Sequence, residues 1–196
     1  MMKKSFKLFA LIMTLLLAAA LFAGCGGGED DDMPAELQEI ADNAVSYVAD
    51  RAILLDGEWG DLHSALIESE EGEDFEEYEY MRGILNSFVL QSGLDYLYAL
   101  YPTGVPVVAP YMLTVDGSMA PDEYGEEYEW EEGFTEAWHG EAAAADYLWE
   151  TADGWYALSA YAPIHDSEGE VVAILGIDYP VPDELAEKYS DWIWEE

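Results

Sequence analysis

Residues 155–179 read W-Y-A-L-S-A-Y-A-P-I-H-D-S-E-G-E-V-V-A-I-L-G-I-D-Y, and this stretch decides the fold. Residues 155–164 and 171–179 are runs of aromatic, β-branched and small apolar side chains. Between them stand His165, Asp166, Ser167, Glu168 and Gly169. Two extended runs around a polar, Gly-containing turn predict a β-hairpin. Side chains alternate along a strand, so Asp178 shares a face with Gly176 and Ile174. A carboxylate near the end of such an apolar strand is exposed, paired, or waiting for a cation.

Upstream of the hairpin the period is helical. Met33-Pro34 with Glu36 in the first turn starts a helix, because proline is tolerated there and the helix dipole favours an acid. Leu37, Ile40, Ala41, Ala44, Val48, Ala52 and Leu55 continue it to Asp56-Gly57. Residues 68–79 are dense in acids without calcium-loop spacing and predict a solvated loop and first turn. Tyr78, Met81, Leu85, Phe88 and Val89 form the apolar stripe of a second helix that stops at Ser92-Gly93. Residues 95–101 are apolar on both faces, as in a central strand, and residues 110–117 predict another. Residues 118–140 are irregular or short-helical and hold Tyr124, Tyr128, Trp130, Phe134 and Trp138. A strand is expected around Tyr147-Leu148-Trp149. After the hairpin, Pro180 and Pro182 are expected to end the sheet, and residues 183–194 to form a last helix. The order is α+β, a five-stranded antiparallel sheet packed on its N-terminal helix.

The start of the chain lies outside this fold. Lys3, Lys4 and Lys7 precede an apolar run over 8–22, too short for a comfortable spanning helix, as in secretory signals. Leu21-Phe22-Ala23-Gly24-Cys25 resembles a bacterial lipobox, and Cys25 is the chain's single cysteine. The expected organisation is a lipoprotein signal peptide over 1–24, a flexible acidic and Gly-rich tether over 25–32, and one domain over 33–196. The resemblance implies lipidation of Cys25 and anchoring at the extracytoplasmic face of the cell membrane. A cleaved signal with a stray thiol and an uncleaved anchor are the other readings.

The chain carries 43 acidic and 6 basic residues, a net charge of −37. After a signal cleaved before Cys25, only Arg51, Arg82 and Lys188 remain as bases. Such a surface repels nucleic acid and anionic headgroups and attracts cations, amines and basic partners. Adaptation of the whole surface to a salty environment would leave the same composition. His63, His139 and His165 stand apart without metal-site spacing, and no nucleophile elbow or phosphate loop is present. Nothing in the sequence argues for catalysis or a cofactor.

Several motifs together resemble the Cache (PDC) domains, PAS-like extracytoplasmic sensor modules. These are Tyr96-Leu97-Tyr98 after Gly93, Thr114-Val115-Asp116-Gly117, Gly125-Glu126-Glu127-Tyr128, and Gly140. The strongest is Ser159-Ala160-Tyr161-Ala162-Pro163-Ile164 followed by Asp166, Gly169 and Leu175-Gly176-Ile177-Asp178. The resemblance implies a PAS-like five-stranded antiparallel sheet, with a long N-terminal helix on one face and a capping loop or short helix on the other. It also implies a stand-alone sensor-type lipoprotein that is not an enzyme. A small cationic or zwitterionic ligand, an amine or amino acid, would bind between the sheet and the aromatic capping segment. Asp178 stands at the family's amine-binding position, with an edge carboxylate capping the turn as the other reading. Tyr161, Tyr124, Tyr128, Trp130 and Trp138 are the aromatic candidates, which could equally be cover for the sheet. Neither Arg51 nor Arg82 falls in the capping segment, so recognition of a carboxylate is not expected. The chain ending at Glu196 suggests a binding half without its transmitter. The alternative is a protein–protein module, for a membrane receptor or a homodimer, using the same fold with a filled pocket.

Overall fold

The computed structural model describes residues 33–106, 108–151 and 153–194. The expected signal segment, tether and Cys25 fall outside these residues.

Helix α1 (Ala35–Leu55) buries Leu37, Ala41, Ala44, Val48, Ala52 and Leu55, spaced three and four apart on one face. Three of the six are alanines, and they meet a sheet face that is itself rich in alanine. Ala160, Ala162 and Ala173 lie in the same core. Small residues on both sides let helix and sheet approach closely without voids. Helix α2 (Glu58–Ser69) follows after one turn, and α3 (Tyr78–Ser92) ends at Gly93 with φ 75°. Strands β1 (Leu97–Pro102) and β2 (Tyr111–Asp116) come next, then the two-residue β3 (Glu127–Tyr128) and the short helix α4 (Glu132–Trp138). Strands β4 (Ala143–Ala144), β5 (Trp149–Glu150), β6 (Tyr156–His165) and β7 (Val171–Val181) precede the last helix α5 (Asp183–Lys188).

All ladders are antiparallel, in the order β3-β2-β1-β7-β6-β4, with β5 also on β6. The seven strands occupy six positions, five of them the expected sheet and the sixth the two-residue β3 added outside β2. Within those five, β7 lies at the centre, and the position outside β6 is shared by the two short pieces β4 and β5. This is the PAS-like α+β architecture expected above. Leu97, Ala99, Ala160, Leu175 and Ile177 look towards α1. Tyr98, Leu100, Tyr161 and Ile174 build a second core with Tyr111 and Phe134 under α4.

The hairpin is clasped at its tip by the α1–α2 corner. Asp56 Oδ1 accepts from the His165 backbone N–H at 2.8 Å and lies 3.1 Å from its Nδ1. Gly57 N–H donates to the His165 carbonyl at 2.9 Å, and Asp61 accepts from Ser167 N–H at 2.9 Å. A methyl group on Gly60 would stand 2.2 Å from the same carbonyl oxygen, so only glycine allows α2 to lie there.

Three elements differ from the sequence reading. Residues 58–69 are helical although Gly57 and Gly60 punctuate them. Strand β7 runs through Pro180, which pairs with Ala157. The pairing of β7 with β1 covers only residues 174–177, so Pro180 lies on an edge where the missing N–H costs no ladder bond on that side. The last helix stops at Lys188, and Ser190–Trp192 is a 3-10 turn. Beyond it Ile193 bridges Leu148, which draws Leu148 out of the β5 pairing with β6.

Candidate functional site

Asp178 faces away from α1, on the side of the sheet that the 117–148 segment covers. It is 3% exposed and lies opposite Ser159 in the hairpin ladder. Ser159 Oγ donates to its Oδ1 at 2.8 Å, and Tyr98 Oη donates to the same oxygen at 3.1 Å. Trp149 Nε1 in turn donates to Ser159 Oγ at 3.0 Å, which orients the serine hydroxyl towards the acid. Burial pushes the Asp178 carboxyl up to about 7, against the two hydrogen bonds, which favour the charged form. The nearby acids Glu131 and Asp116 raise it further.

Both donors use Oδ1. Among the described residues no donor reaches Oδ2, and the sealed side-chain polar atoms without partners are Tyr47 Oη and His63 Nδ1.

A second carboxylate enters from the covering segment. Glu131 occupies the N-cap of α4 in an extended conformation, yet its side chain does not cap the helix. It accepts instead from Tyr147 Oη at 2.7 Å and from Tyr161 Oη at 3.1 Å. Burial raises its carboxyl above the usual range, and the same burial lifts the Tyr98, Tyr128, Tyr147 and Tyr161 hydroxyls. Tyr128 stacks on Tyr98 with ring centroids 5.7 Å apart. The cluster is thus two acids, their hydroxyl donors and two stacked rings.

The structure brings Asp178, Tyr161 and Tyr128 into one cluster. It sends the other aromatic candidates elsewhere. Tyr124 packs on Tyr78 and over Gly72, where its backbone N–H donates to Glu73 at 3.2 Å. Trp130 is 43% exposed, with Nε1 donating to Thr135 at 2.9 Å. Trp138 sets its ring edge-on to Tyr101 and Tyr111. No four-ring cage forms over the sheet. Beneath α4, Phe134 packs at 4.7 Å on Tyr161 and 4.8 Å on Tyr111, so that half of the face is filled by side chains. Tyr98, Ser159, Glu131 and Tyr147 were not expected in the site.

The described residues form two recesses, among others, on the surface. One, about 580 Å³, is lined by Asp146, Tyr147, Ser190, Asp191, Trp192, Ile193 and Trp194, and so touches the tyrosine that holds Glu131. The other, about 490 Å³, lies between the loop at Glu70–Glu73 and Tyr124. Among the described residues no group of three or more His, Cys, Asp and Glu side chains is arranged to hold a metal ion. No helix among them is long and apolar enough to cross a membrane.

The fold is a PAS-like α+β domain with a polar cluster on the covered face of its sheet. No family model matches the sequence, and no curated protein matches it. Solved structures similar to it include the periplasmic sensory domain of a Campylobacter jejuni chemoreceptor, at 12% identity over 80% of this chain and 59% of the other, with a TM-score of 0.43. Another is the ligand-binding domain of a C. jejuni chemoreceptor in complex with L-valine, at 12% identity over 78% and 65%, TM-score 0.38. A third is the periplasmic domain of RsbU from Chlamydia trachomatis, at 11% identity over 77% and 55%, TM-score 0.37. The chain spans 59% and 65% of the length of the two chemoreceptor domains.

Proposed function

We propose that this protein is an extracytoplasmic, sensor-type ligand-binding domain that holds a small cationic or zwitterionic molecule between the sheet and the capping segment. Asp178 is the charge contact, and Tyr161 and Tyr128 line the approach. One observation carries the reading. A carboxylate 3% exposed, on an apolar strand, has a second oxygen that no donor among the described residues reaches. Burying such a group costs folding free energy unless a cation or donor meets it. Tyr128 and Tyr98 offer stacked ring surface beside it, a setting that favours ammonium groups over neutral ones.

The test is thermal unfolding of the full chain with n-butylamine and L-valine. A ligand that binds the native state alone adds about 2.7 kcal/mol at a hundredfold excess over Kd, roughly 5–10 °C for a domain of this size. Asp178→Asn should remove that shift. Failure of every amine and amino acid to move the transition would reject the reading.

Membrane anchoring through Cys25 belongs to the same proposal and rests on Leu21-Phe22-Ala23-Gly24-Cys25. Fractionation of cells making Cys25→Ser tests it, since that variant should leave the membrane fraction. A second reading, a protein-interaction module for a receptor or a homodimer, is favoured by the filled face under α4, where Tyr111, Phe134 and Tyr161 are each at most 1% exposed. Dimerisation that depends on concentration, with no response to small molecules, would select it.

A further inference from the structure

We propose that the outer face of helix α3 (Tyr78–Ser92) is an interface for a second copy of this chain, in which the two α3 helices pack antiparallel about Gly83 and Ser87. The interface lies on the helical side of the sheet, away from Asp178, and stands whichever molecule the covered face takes.

Helix α3 carries two stripes. Tyr78, Met81, Leu85 and Val89 are buried in the core shared with α1. Tyr80, Gly83, Ser87 and Leu90 recur on the outside at spacings of three, four and three, as in a coiled-coil seam. Tyr80 is 55% exposed and Leu90 66%.

Gly83 is the observation that points outside the chain. A glycine inside a helix destabilises it relative to alanine. Among the described residues every other glycine has a reason, either a positive φ or an atom within 4 Å of an added Cβ. Gly83 has neither. Bare backbone on an exposed helix face lets a second helix approach closely. The polar side chains around it are turned back on their own chain. Ser87 Oγ donates to the Ile84 carbonyl at 2.7 Å, and Gln91 Nε2 to the Ser87 carbonyl at 2.9 Å. Asn86 Nδ2 donates to the Gly117 carbonyl at 2.9 Å. An apolar neighbour can therefore cover the face without stranding these donors.

Charge selects the occupant. Residues 80–115 hold one acid, Asp95, and one base, Arg82, against 43 acids in the whole chain of 196 residues. Within α3 the single acid, Glu79, pairs with Arg82 at 3.6 Å. A basic partner would be drawn to the acidic faces and gains nothing from a neutral one. A partner as acidic as this chain can meet it only where both are neutral, and a second copy is such a partner. The antiparallel arrangement keeps Glu76 and Glu77, just before the helix, away from their counterparts. It also sets Tyr80 of one copy against Leu90 of the other, since the two are equally far from Leu85 along the helix.

Sedimentation velocity of the full chain tests the interface. Raising sodium chloride from about 0.1 M to about 1 M shortens the Debye length from about 10 Å to about 3 Å, so dimerisation should tighten at least about tenfold. Leu90→Glu should weaken the dimer at least about tenfold, because it sets an unpaired charge in a neutral seam. Gly83→Ala should also weaken the dimer while raising the urea midpoint of the monomer, a split that a merely structural glycine would not show. Monomers at both salt concentrations, a dimer that loosens as salt rises, or one that both variants leave intact would overturn the inference. A chain that stays monomeric but binds phosphatidylcholine vesicles through Leu90 would overturn it in favour of a lipid surface. Each of these results leaves the reading of Asp178 untouched.

Discussion

The ring of Tyr98 lies on Gly176. The two residues face each other across the β1–β7 ladder, and a Cβ built on the glycine would stand 2.3 Å from Cε2 of the tyrosine. Only the bare backbone at 176 lets the ring lie down across β7. In that position its hydroxyl reaches Asp178, two residues further along the same strand. The Leu175-Gly176-Ile177-Asp178 sequence is therefore one device, a slot for a ring followed by the acid that the ring addresses.

Gly176→Ala should consequently do two things at once. Overpacking against a ring hemmed in by Tyr128 should cost about 1–3 kcal/mol in chemical denaturation. It should also push the Tyr98 hydroxyl off Asp178, which raises the carboxyl further, because that hydrogen bond favours the charged form. A Gly176→Ala protein of unchanged stability would show that the ring has room to move.

Asp178 makes stability depend on pH with a definite sign. Its folded-state value of about 7 lies above its ordinary value of 3.8, so the native state holds its proton more tightly. The stabilisation from that proton is complete below about pH 4 and is lost as pH rises through 7. The difference between about 7 and 3.8 corresponds to on the order of 4 kcal/mol. Asp178→Asn, which keeps an acceptor for Ser159 and Tyr98, should therefore be more stable than the unmutated chain at pH 8, with the advantage shrinking towards pH 5. Urea unfolding at the two pH values measures this. A variant that gains stability while losing its ligand is the expected mark of a binding residue.

His63 acts on the acid side. It is fully buried, stacked on Trp59 at 5.6 Å, with Nε2 2.9 Å from the hydroxyl oxygen of Thr114. Thr114 donates to the Ala99 carbonyl, so its oxygen accepts the imidazole N–H. Burial lowers the imidazole to about 3, and the backbone of Val172 offsets part of this without a good hydrogen bond to Nδ1. The folded value lies below the ordinary 6.5, so this contribution is present above pH 6.5 and is lost as pH falls towards 3. His63→Gln should flatten the acid limb of the stability profile and leave the limb above pH 7 as it was.

The clasp on the hairpin tip gives a prediction independent of the site. At Gly60 an added methyl meets a backbone oxygen at 2.2 Å, and backbone cannot rotate away as a side chain can. Gly60→Ala should cost about 2–3 kcal/mol, more than Asp56→Ala, which removes two hydrogen bonds at a half-exposed carboxylate worth about 1–2 kcal/mol. Denaturant midpoints with unchanged slopes would give both numbers.

The hairpin, α1, α3 and the α+β order were legible because their signals are local: a period of two, a period of three to four, and glycines at the ends. The α2 helix was hidden because Gly57 and Gly60 read as breakers. Gly60 is required by the His165 carbonyl, more than 100 residues away in sequence, and Gly57 by its φ of 81°. Strand β7 continues through Pro180 because its β1 neighbour has already stopped, which only the register reveals. In the site, Asp178 stood out as a lone acid on an apolar strand, whereas Glu131 is one of 43 acids and is marked only by the tyrosines that hold it. Tyr98 reads as core because strand alternation places it inside without saying where its hydroxyl ends. Tyr124, Trp130 and Trp138 look like partners in one segment, but the turns at Gly125 and around α4 send their rings to different neighbours.

The central claim is that Asp178 meets a cation, and its own titration tests this most directly. The carbon-13 resonance of the Asp178 carboxyl, followed against pH in the full chain, should show a midpoint near 7 without ligand. With saturating n-butylamine the midpoint should fall by at least about one unit, because a bound ammonium favours the carboxylate. A midpoint that stays in place while butylamine saturates the protein would contradict the account.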